Sequence, residues 1–245
     1  MTETPNYGIR TYGDRIADVY DRYYGSYEPA AIVALKQLSA GGRALELGIG
    51  TGRVALPLRE AGVAVSGIDA SEAMIRQLRS KPGGSAIPVV IGDLADVEVD
   101  GQFALIFVVF NTFFNLLSQA DQVRCFRNVA AHLAPDGVFV LEAFVPDLGR
   151  FRGGQDVRVI TQTESEVRFD VSQVDLVRQL VTATHVTLSA GGPRFCPVTL
   201  RYAWPSELDL MAQLAGLGLK ERWSSWDQKP FTDASGGHIS LYGKV

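Results

Sequence analysis

Ala44-Leu45-Glu46-Leu47-Gly48-Ile49-Gly50-Thr51-Gly52-Arg53 is the stretch that decides how this chain folds. A short apolar run carries a carboxylate near its end. Three glycines follow at every second position, and then a helix begins. Glycine lets the backbone turn sharply and lets a ligand come close to the main chain. The helix that follows presents free N–H groups beside that ligand. In an open α/β sheet, this strand–turn–helix is where nucleotide-like ligands sit, outside the carboxyl ends of the strands.

The details of the turn narrow the ligand. The dinucleotide fingerprint is Gly-x-Gly-x-x-Gly/Ala. Its last position packs helix on strand beside a pyrophosphate. Here that position holds Arg53, a poor fit. No Gly-Lys-Ser/Thr follows, so a P-loop is excluded. Glu46 ahead of the glycines favours a ligand with positive charge over a phosphate. A nucleotide-dependent oxidoreductase on a similar fold is the main alternative, and a non-catalytic regulatory cofactor-binding protein is another.

Outward from the turn, the pattern alternates. Residues 53–60 form a helix that contains Pro57, so its start is expected late or distorted. Residues 63–68 are a strand ending at Asp69, and Ser71 caps a helix with Met74, Ile75 and Leu78 on one face. Residues 87–91 are a third strand, ending at Gly92-Asp93-Leu94. Residues 103–110 are apolar throughout, as a strand buried on both faces must be. A helix over 119–133, a turn at Pro135-Asp136-Gly137 and a fifth strand over 138–144 complete the series. Ahead of it, residues 14–24 and 29–38 read as two helices. After Pro146, four stretches (157–160, 166–171, 181–188 and 195–202) read as strands with alternating faces and short polar turns. Pro205 opens a helix, and residues 219–226 and 238–245 are closing strands.

The expected fold is therefore α/β: a Rossmann-like, doubly wound, mostly parallel sheet with an antiparallel β insertion after the fifth strand. Residues 1–40 are a helical cover, 41–148 the cofactor-binding core, 149–203 the insertion, and 204–245 the C-terminal helix and closing strands of the core sheet. The insertion is expected to serve as a lid, as a homodimer surface, or as both.

Composition sets further bounds. The 245 residues have a net charge of −4 with no basic cluster, so a nucleic-acid partner is not expected. The two cysteines lack metal-ligand spacing, and no metal site is expected. Residues 1–10 are polar and the longest apolar run is far short of the ~20 residues of a membrane span. A cytoplasmic location without membrane contact is the expectation.

Four landmarks stand in order: Glu46-Leu47-Gly48-Ile49-Gly50-Thr51-Gly52, Gly67-Ile68-Asp69-Ala70-Ser71, Gly92-Asp93-Leu94, and Leu133-Ala134-Pro135-Asp136-Gly137-Val138. Through them the chain resembles class I S-adenosylmethionine-dependent methyltransferases over residues 44–144. The resemblance implies that Glu46, Gly48 and Gly50 line the methionine part of the cofactor. Asp69, with Ala70 beside it, would accept hydrogen bonds from the ribose hydroxyls. Asp93 would meet the adenine amino group, with Leu94 and Met74 packed on the ring. Phe110 and Asn111 would lie near the sulfonium and the incoming substrate. The product would be S-adenosylhomocysteine.

Residues 17–24, Ala-Asp-Val-Tyr-Asp-Arg-Tyr-Tyr, are similar to the opening segment of amino-sugar N,N-dimethyltransferases. This implies that Tyr20 covers the cofactor and that Tyr24 reaches the reacting group as the catalytic candidate. Asn111, Phe114 and Asn115 join Tyr24 as substrate-binding candidates. The implied reaction is in-line methyl transfer to a nitrogen or oxygen of a small molecule, with nucleotide-linked amino sugars and other specialised metabolites as the candidates. An amine acceptor must only be unprotonated, whereas a hydroxyl usually needs a base. A surface role is expected for His132, and structural roles for His185 and His238, whose strands border the pocket. Glu142 in the fifth strand needs a partner if buried, and Trp204, Trp223 and Trp226 are expected to pack core or lid.

Overall fold

The computed structural model describes residues 7–245. Strand β1 (Arg43–Leu47) is buried over four of its five residues and lies in the middle of the main sheet. Around it run β2 (Ala64–Asp69), β3 (Val89–Ile91), β4 (Phe103–Val108), β5 (Leu133–Phe144), β10 (Leu217–Trp223) and β11 (Gly237–Lys244). The strand order is β10-β11-β5-β4-β1-β2-β3. β1 to β5 are parallel, while β10 and β11 pair antiparallel at one edge. β1, β2 and β4 thus point their carboxyl ends to one side, where order reverses between β4 and β1. This is the crevice expected for a ligand.

Helices α3 (Pro29–Leu38), α4 (Ala55–Glu60), α5 (Glu72–Ser80) and α6 (Gln119–His132) cover the sheet with apolar faces. α4 begins at Ala55, which leaves Pro57 in the first turn, where its missing N–H costs no helical bond. Ser71 caps α5 by accepting from Met74 N at 3.2 Å.

Among the boundaries that differ from the sequence reading, two have a cause in the packing. Residues 14–24 are not one helix: α1 (Thr11–Ile16) and α2 (Tyr20–Tyr24) are separated by a turn. Asp18 in that turn is held by Arg194, Nη1 to Oδ2 at 2.8 Å. Residues 135–137 do not end an element, because β5 runs through them with a register shift against β4. A bulge absorbs the residues that Pro and Gly mark as a turn.

The insertion is a separate four-stranded antiparallel sheet of β6 (Gln155–Gln162), β7 (Glu166–Asp175), β8 (Leu180–Ser189) and β9 (Gly192–Arg201), in that order. Its base is fixed to the core by buried Arg201. Arg201 donates to Gln122 Oε1 at 2.6 Å, to Glu207 Oε1 at 2.8 Å and to Gln179 Oε1 at 3.0 Å. Glu207 belongs to α7 (Pro205–Leu214), so three elements meet at one guanidinium. Among the described residues no helix is long and apolar enough to cross a membrane.

Candidate active site

Past the end of β1 the chain enters the glycine turn. Gly48, Gly50 and Gly52 have φ of +76°, +53° and +78°, which side chains with a Cβ rarely adopt. At Gly48 a Cβ would also lie 2.3 Å from Thr112 Cγ2. The turn is braced from β2 by Asp69, whose Oδ2 accepts from Gly50 N at 2.8 Å, while its Oδ1 accepts locally from Ser71 N at 2.8 Å. Burial raises the Asp69 carboxyl and the two N–H donors oppose that rise.

A cavity of about 110 Å³ lies against this turn. Gly48, Gly50, Asp69, Ala70, Met74, Asp93 and Leu94 line it, together with Tyr20. Asp93 Oδ1 accepts from Ala95 N at 2.9 Å, and its Oδ2 is 3.6 Å from Arg124. Glu46 lies behind the turn, 3% exposed, and its Oε2 has no hydrogen-bond partner among the described residues. Burial pushes Glu46 up to about 8, against the opposing pull of Arg53. Without a ligand the group is held as the neutral acid at neutral pH, and a cationic ligand group would favour its carboxylate form.

A second cavity of about 520 Å³ adjoins the first, since Tyr12, Tyr20, Thr112 and Asn115 line both. Its floor comes from the loop after β4. That strand ends at Val108, two residues earlier than the apolar run. Phe110 and Asn111 both turn to positive φ, +56° and +65°. Glu142 holds this loop: its Oε2 accepts from Phe110 N at 2.8 Å and its Oε1 from the Trp226 indole at 3.1 Å. Arg53 lies 4.4 Å over the Phe110 ring and donates to Ser26 O at 3.0 Å. The residue that disqualifies the turn for a dinucleotide thus packs on a ring that lines the larger cavity.

Tyr24 and Asn111 line the larger cavity, and Asn115 reaches both. Asn111 Oδ1 is engaged by Phe144 N at 2.7 Å. Phe114 falls outside both cavities; it is fully buried against Phe113 and Phe144, because the short helix at Thr112–Asn115 turns it into the core. Tyr20 and Tyr24 are 5.4 Å apart, and Tyr24 lies 5.6 Å from Phe110. Burial pushes the Tyr20 hydroxyl up to about 12 and raises that of Tyr24. Both are neutral hydrogen-bonding groups at neutral pH.

The roof of the larger cavity is the antiparallel sheet, through Val181, Ala183, Val198 and Leu200. His185 and Asp170 lie on that face, with Nδ1 and Oδ1 2.5 Å apart. This pair is invisible in sequence, because the register that opposes the two residues is set only when β7 meets β8. Tyr12 and Thr112 were likewise not signalled by any motif. His132 lies outside both cavities and bonds Asn128 O. His238 is 1% exposed beside Ser240, and burial pushes it down to about 4. Trp223 and Trp226 are buried in the core and Trp204 is partly exposed. No cluster suited to a metal occurs among the described residues.

The lining of the smaller cavity matches an adenosyl group in chemistry: acceptor oxygens at Asp69 and Asp93, apolar contacts at Met74 and Leu94, and the backbone of Gly48 and Gly50. A family model described as a methyltransferase domain matches residues 44–137. The structure of the CcbJ methyltransferase from Streptomyces caelestis matches at a TM-score of 0.91 with 38% identity, covering 98% of this chain and 100% of that one. The chain belongs to the S-adenosylmethionine-dependent methyltransferases. This methyltransferase is also 28% identical over 240 residues to the cypemycin N-terminal methyltransferase of a Streptomyces species, covering 91% of this chain and 94% of that protein. It is 30% identical over 135 residues to a dTDP-4-amino-2,3,4,6-tetradeoxy-D-glucose N,N-dimethyltransferase of Saccharopolyspora spinosa, covering 51% of this chain and 53% of that protein. The membership removes the oxidoreductase alternative, and S-adenosylmethionine is the methyl donor.

Proposed function

We propose that this methyltransferase acts on the amine nitrogen of a small molecule of specialised metabolism, an amino sugar or an amine of similar size. The observation that carries the reading is the junction of the two cavities at Tyr12, Tyr20, Thr112 and Asn115. The cavity at the glycine turn opens there onto a chamber of about 520 Å³, within the range of small-molecule pockets. Two relatives, an N-terminal methyltransferase and an N,N-dimethyltransferase, support nitrogen as the acceptor.

S-adenosylmethionine supplies a methyl group bonded to a sulfonium. Glu46 faces the cationic amino acid end, and Gly48 and Gly50 let that end lie on the backbone. Asp69 keeps a lone pair on each oxygen for the ribose hydroxyls, and Asp93 offers Oδ2 to the adenine amino group, with Ala70, Met74 and Leu94 around the ring. Tyr20 and Phe110 close the site, while Tyr24, Asn111 and Asn115 orient the acceptor. Water exclusion falls to residues 7–24 and the insertion, which together form the cover. Arg158 lines the chamber without an ion-pair partner among the described residues, so it is available to an anionic group such as a nucleotide phosphate.

The other face of the insertion carries Val157, Val159, Val171, Leu188 and Phe195, from 41% to 65% exposed. An apolar face on this scale suits a second copy of the chain.

The test is an acceptor panel in which amino sugars are paired with analogues bearing a hydroxyl in place of the amine. Formation of S-adenosylhomocysteine is expected with the amines. Transfer to the hydroxyl analogues alone, or to neither set, refutes the reading.

A further inference from the structure

The insertion does more than roof the chamber. Cross-strand register brings Arg158 of β6, Asp170 of β7 and His185 of β8 into one row. All three line the larger cavity. His185 makes its hydrogen bond through Nδ1, to Asp170 Oδ1 at 2.5 Å. A carboxylate on Nδ1 fixes the tautomer with the proton there and leaves Nε2 with a free lone pair. Among the described residues Nε2 has no partner. Tyr12, which also lines the cofactor cavity, packs edge-on to the imidazole at 6.2 Å between ring centres.

We propose that His185, oriented by Asp170, is the general base that takes a proton from the ammonium form of the acceptor. The assignment rests on an amine being the acceptor. An alkylamine at neutral pH is almost wholly protonated and has no lone pair with which to attack. In the step, one N–H bond of the ammonium breaks, the proton moves to His185 Nε2, and the electron pair stays on nitrogen. That pair then forms the bond to the methyl carbon as the carbon–sulfur bond breaks and its electrons leave with sulfur. His185 becomes an imidazolium, which Asp170 stabilises, and returns its proton to solvent.

The other ionisable groups around His185 do not compete for this role. Arg194 of β9 is taken up by Asp18, and Arg168 of β7 stacks 3.6 Å over the Tyr23 ring. Both are cations. Burial raises the Cys196 thiol on β9 and the Tyr12 and Tyr24 hydroxyls, so all three hold their protons near neutral pH. Arg158 stands beyond Asp170 as a further cation. Glu142 has an N–H donor on each oxygen.

Two measurements test the pair. First, kcat/KM for an amine acceptor is followed from pH 6.5 to 9 in the wild type, His185→Gln and Asp170→Asn. With the base present, rate is expected to be nearly flat above neutral pH. In His185→Gln it should fall ~100-fold at pH 7 and climb about tenfold per pH unit, following the free amine. Cofactor affinity by calorimetry should be unchanged, because neither residue lines that cavity. Imidazole added to His185→Ala should restore part of the lost turnover. Second, the imidazole nitrogens are examined by NMR in the unliganded wild type, with His185 expected as the Nδ1–H tautomer. A His185→Gln variant that melts like wild type but keeps the wild-type pH profile overturns the assignment, as does an Nε2–H tautomer. If wild-type protein transfers nothing to amines, the amine reading itself has failed; the tautomer still reports separately on the pair.

Discussion

Replacing Asp69 by alanine separates two roles that the structure gives one carboxylate. Before any cofactor arrives, one oxygen braces the glycine turn through Gly50 N and the other holds the start of α5 through Ser71 N, both at 2.8 Å. The substitution leaves both backbone donors without their acceptor. Hydrogen bonds to a charged group contribute ~1.5–3 kcal/mol each, and Asp69 is half-buried, so the lower end applies: about 3 kcal/mol for the pair. In a chain of this size 1 kcal/mol moves the melting temperature by ~2–4 °C, so the unliganded variant should melt about 6–12 °C lower. Titration calorimetry should then show S-adenosylmethionine binding weakened ~10-fold or more, from the lost ribose contacts. Asp69→Asn keeps one acceptor and opposes an amide NH2 to the other donor, so it should melt between the two. An unliganded Asp69→Ala protein melting within ~1 °C of wild type would refute the brace. Unchanged cofactor affinity would refute the placement of the ribose.

Four other outcomes are expected. Gly48→Ala should abolish cofactor binding in calorimetry, since its φ is +76° and its Cβ would lie 2.3 Å from Thr112 Cγ2; a variant that binds normally would show that the turn relaxes. Glu46 in the folded protein holds its proton up to about 8, against 4.5 ordinarily, so its contribution to stability is full below pH 4.5 and is lost as pH rises through 8. Glu46→Gln should therefore flatten the fall in urea midpoint between pH 5 and 9, and an unaltered slope would contradict the buried acid. Tyr24→Phe should lower turnover ~10-fold with cofactor affinity unchanged, as the loss of one hydrogen bond to the acceptor predicts; wild-type kcat would leave Tyr24 as packing against Phe110. Phe195→Glu places a charge on the exposed apolar face of the insertion and should disrupt the proposed dimer, read as a lower sedimentation coefficient than wild type, whereas an unchanged coefficient would exclude that face.

The core was legible because its signals are local. Glycines at every second position, a carboxylate ending β2 and an apolar β4 each act within a few residues, and periodicity alone separated the parallel sheet from the insertion. Boundaries failed where distant groups decide them. Arg194 pins the turn at Asp18 from 176 residues away and splits the predicted helix. Phe114 was placed near substrate by its neighbours Asn111 and Asn115, but a short helix rotates it inward. Asp170 and His185 are 15 residues apart on different strands. A one-residue slip in that register would send one of them to the opposite face, so no reading of spacing could pair them.

The contacts that hold residues 7–24 against the insertion have a common character. Tyr7 meets Thr199, Asp18 meets Arg194 and Arg22 meets Glu166 across 192, 176 and 144 residues of chain. The two ion pairs are partly exposed, and such pairs contribute only ~0–1 kcal/mol each. Bringing together ends so far apart costs loop entropy that local contacts do not. Contacts of this kind are expected to open at lower free energy than the sheet. The cleft is thereby expected to open, admitting one ligand and releasing another, while the bond from Gly50 N to Asp69 keeps the glycine turn in shape.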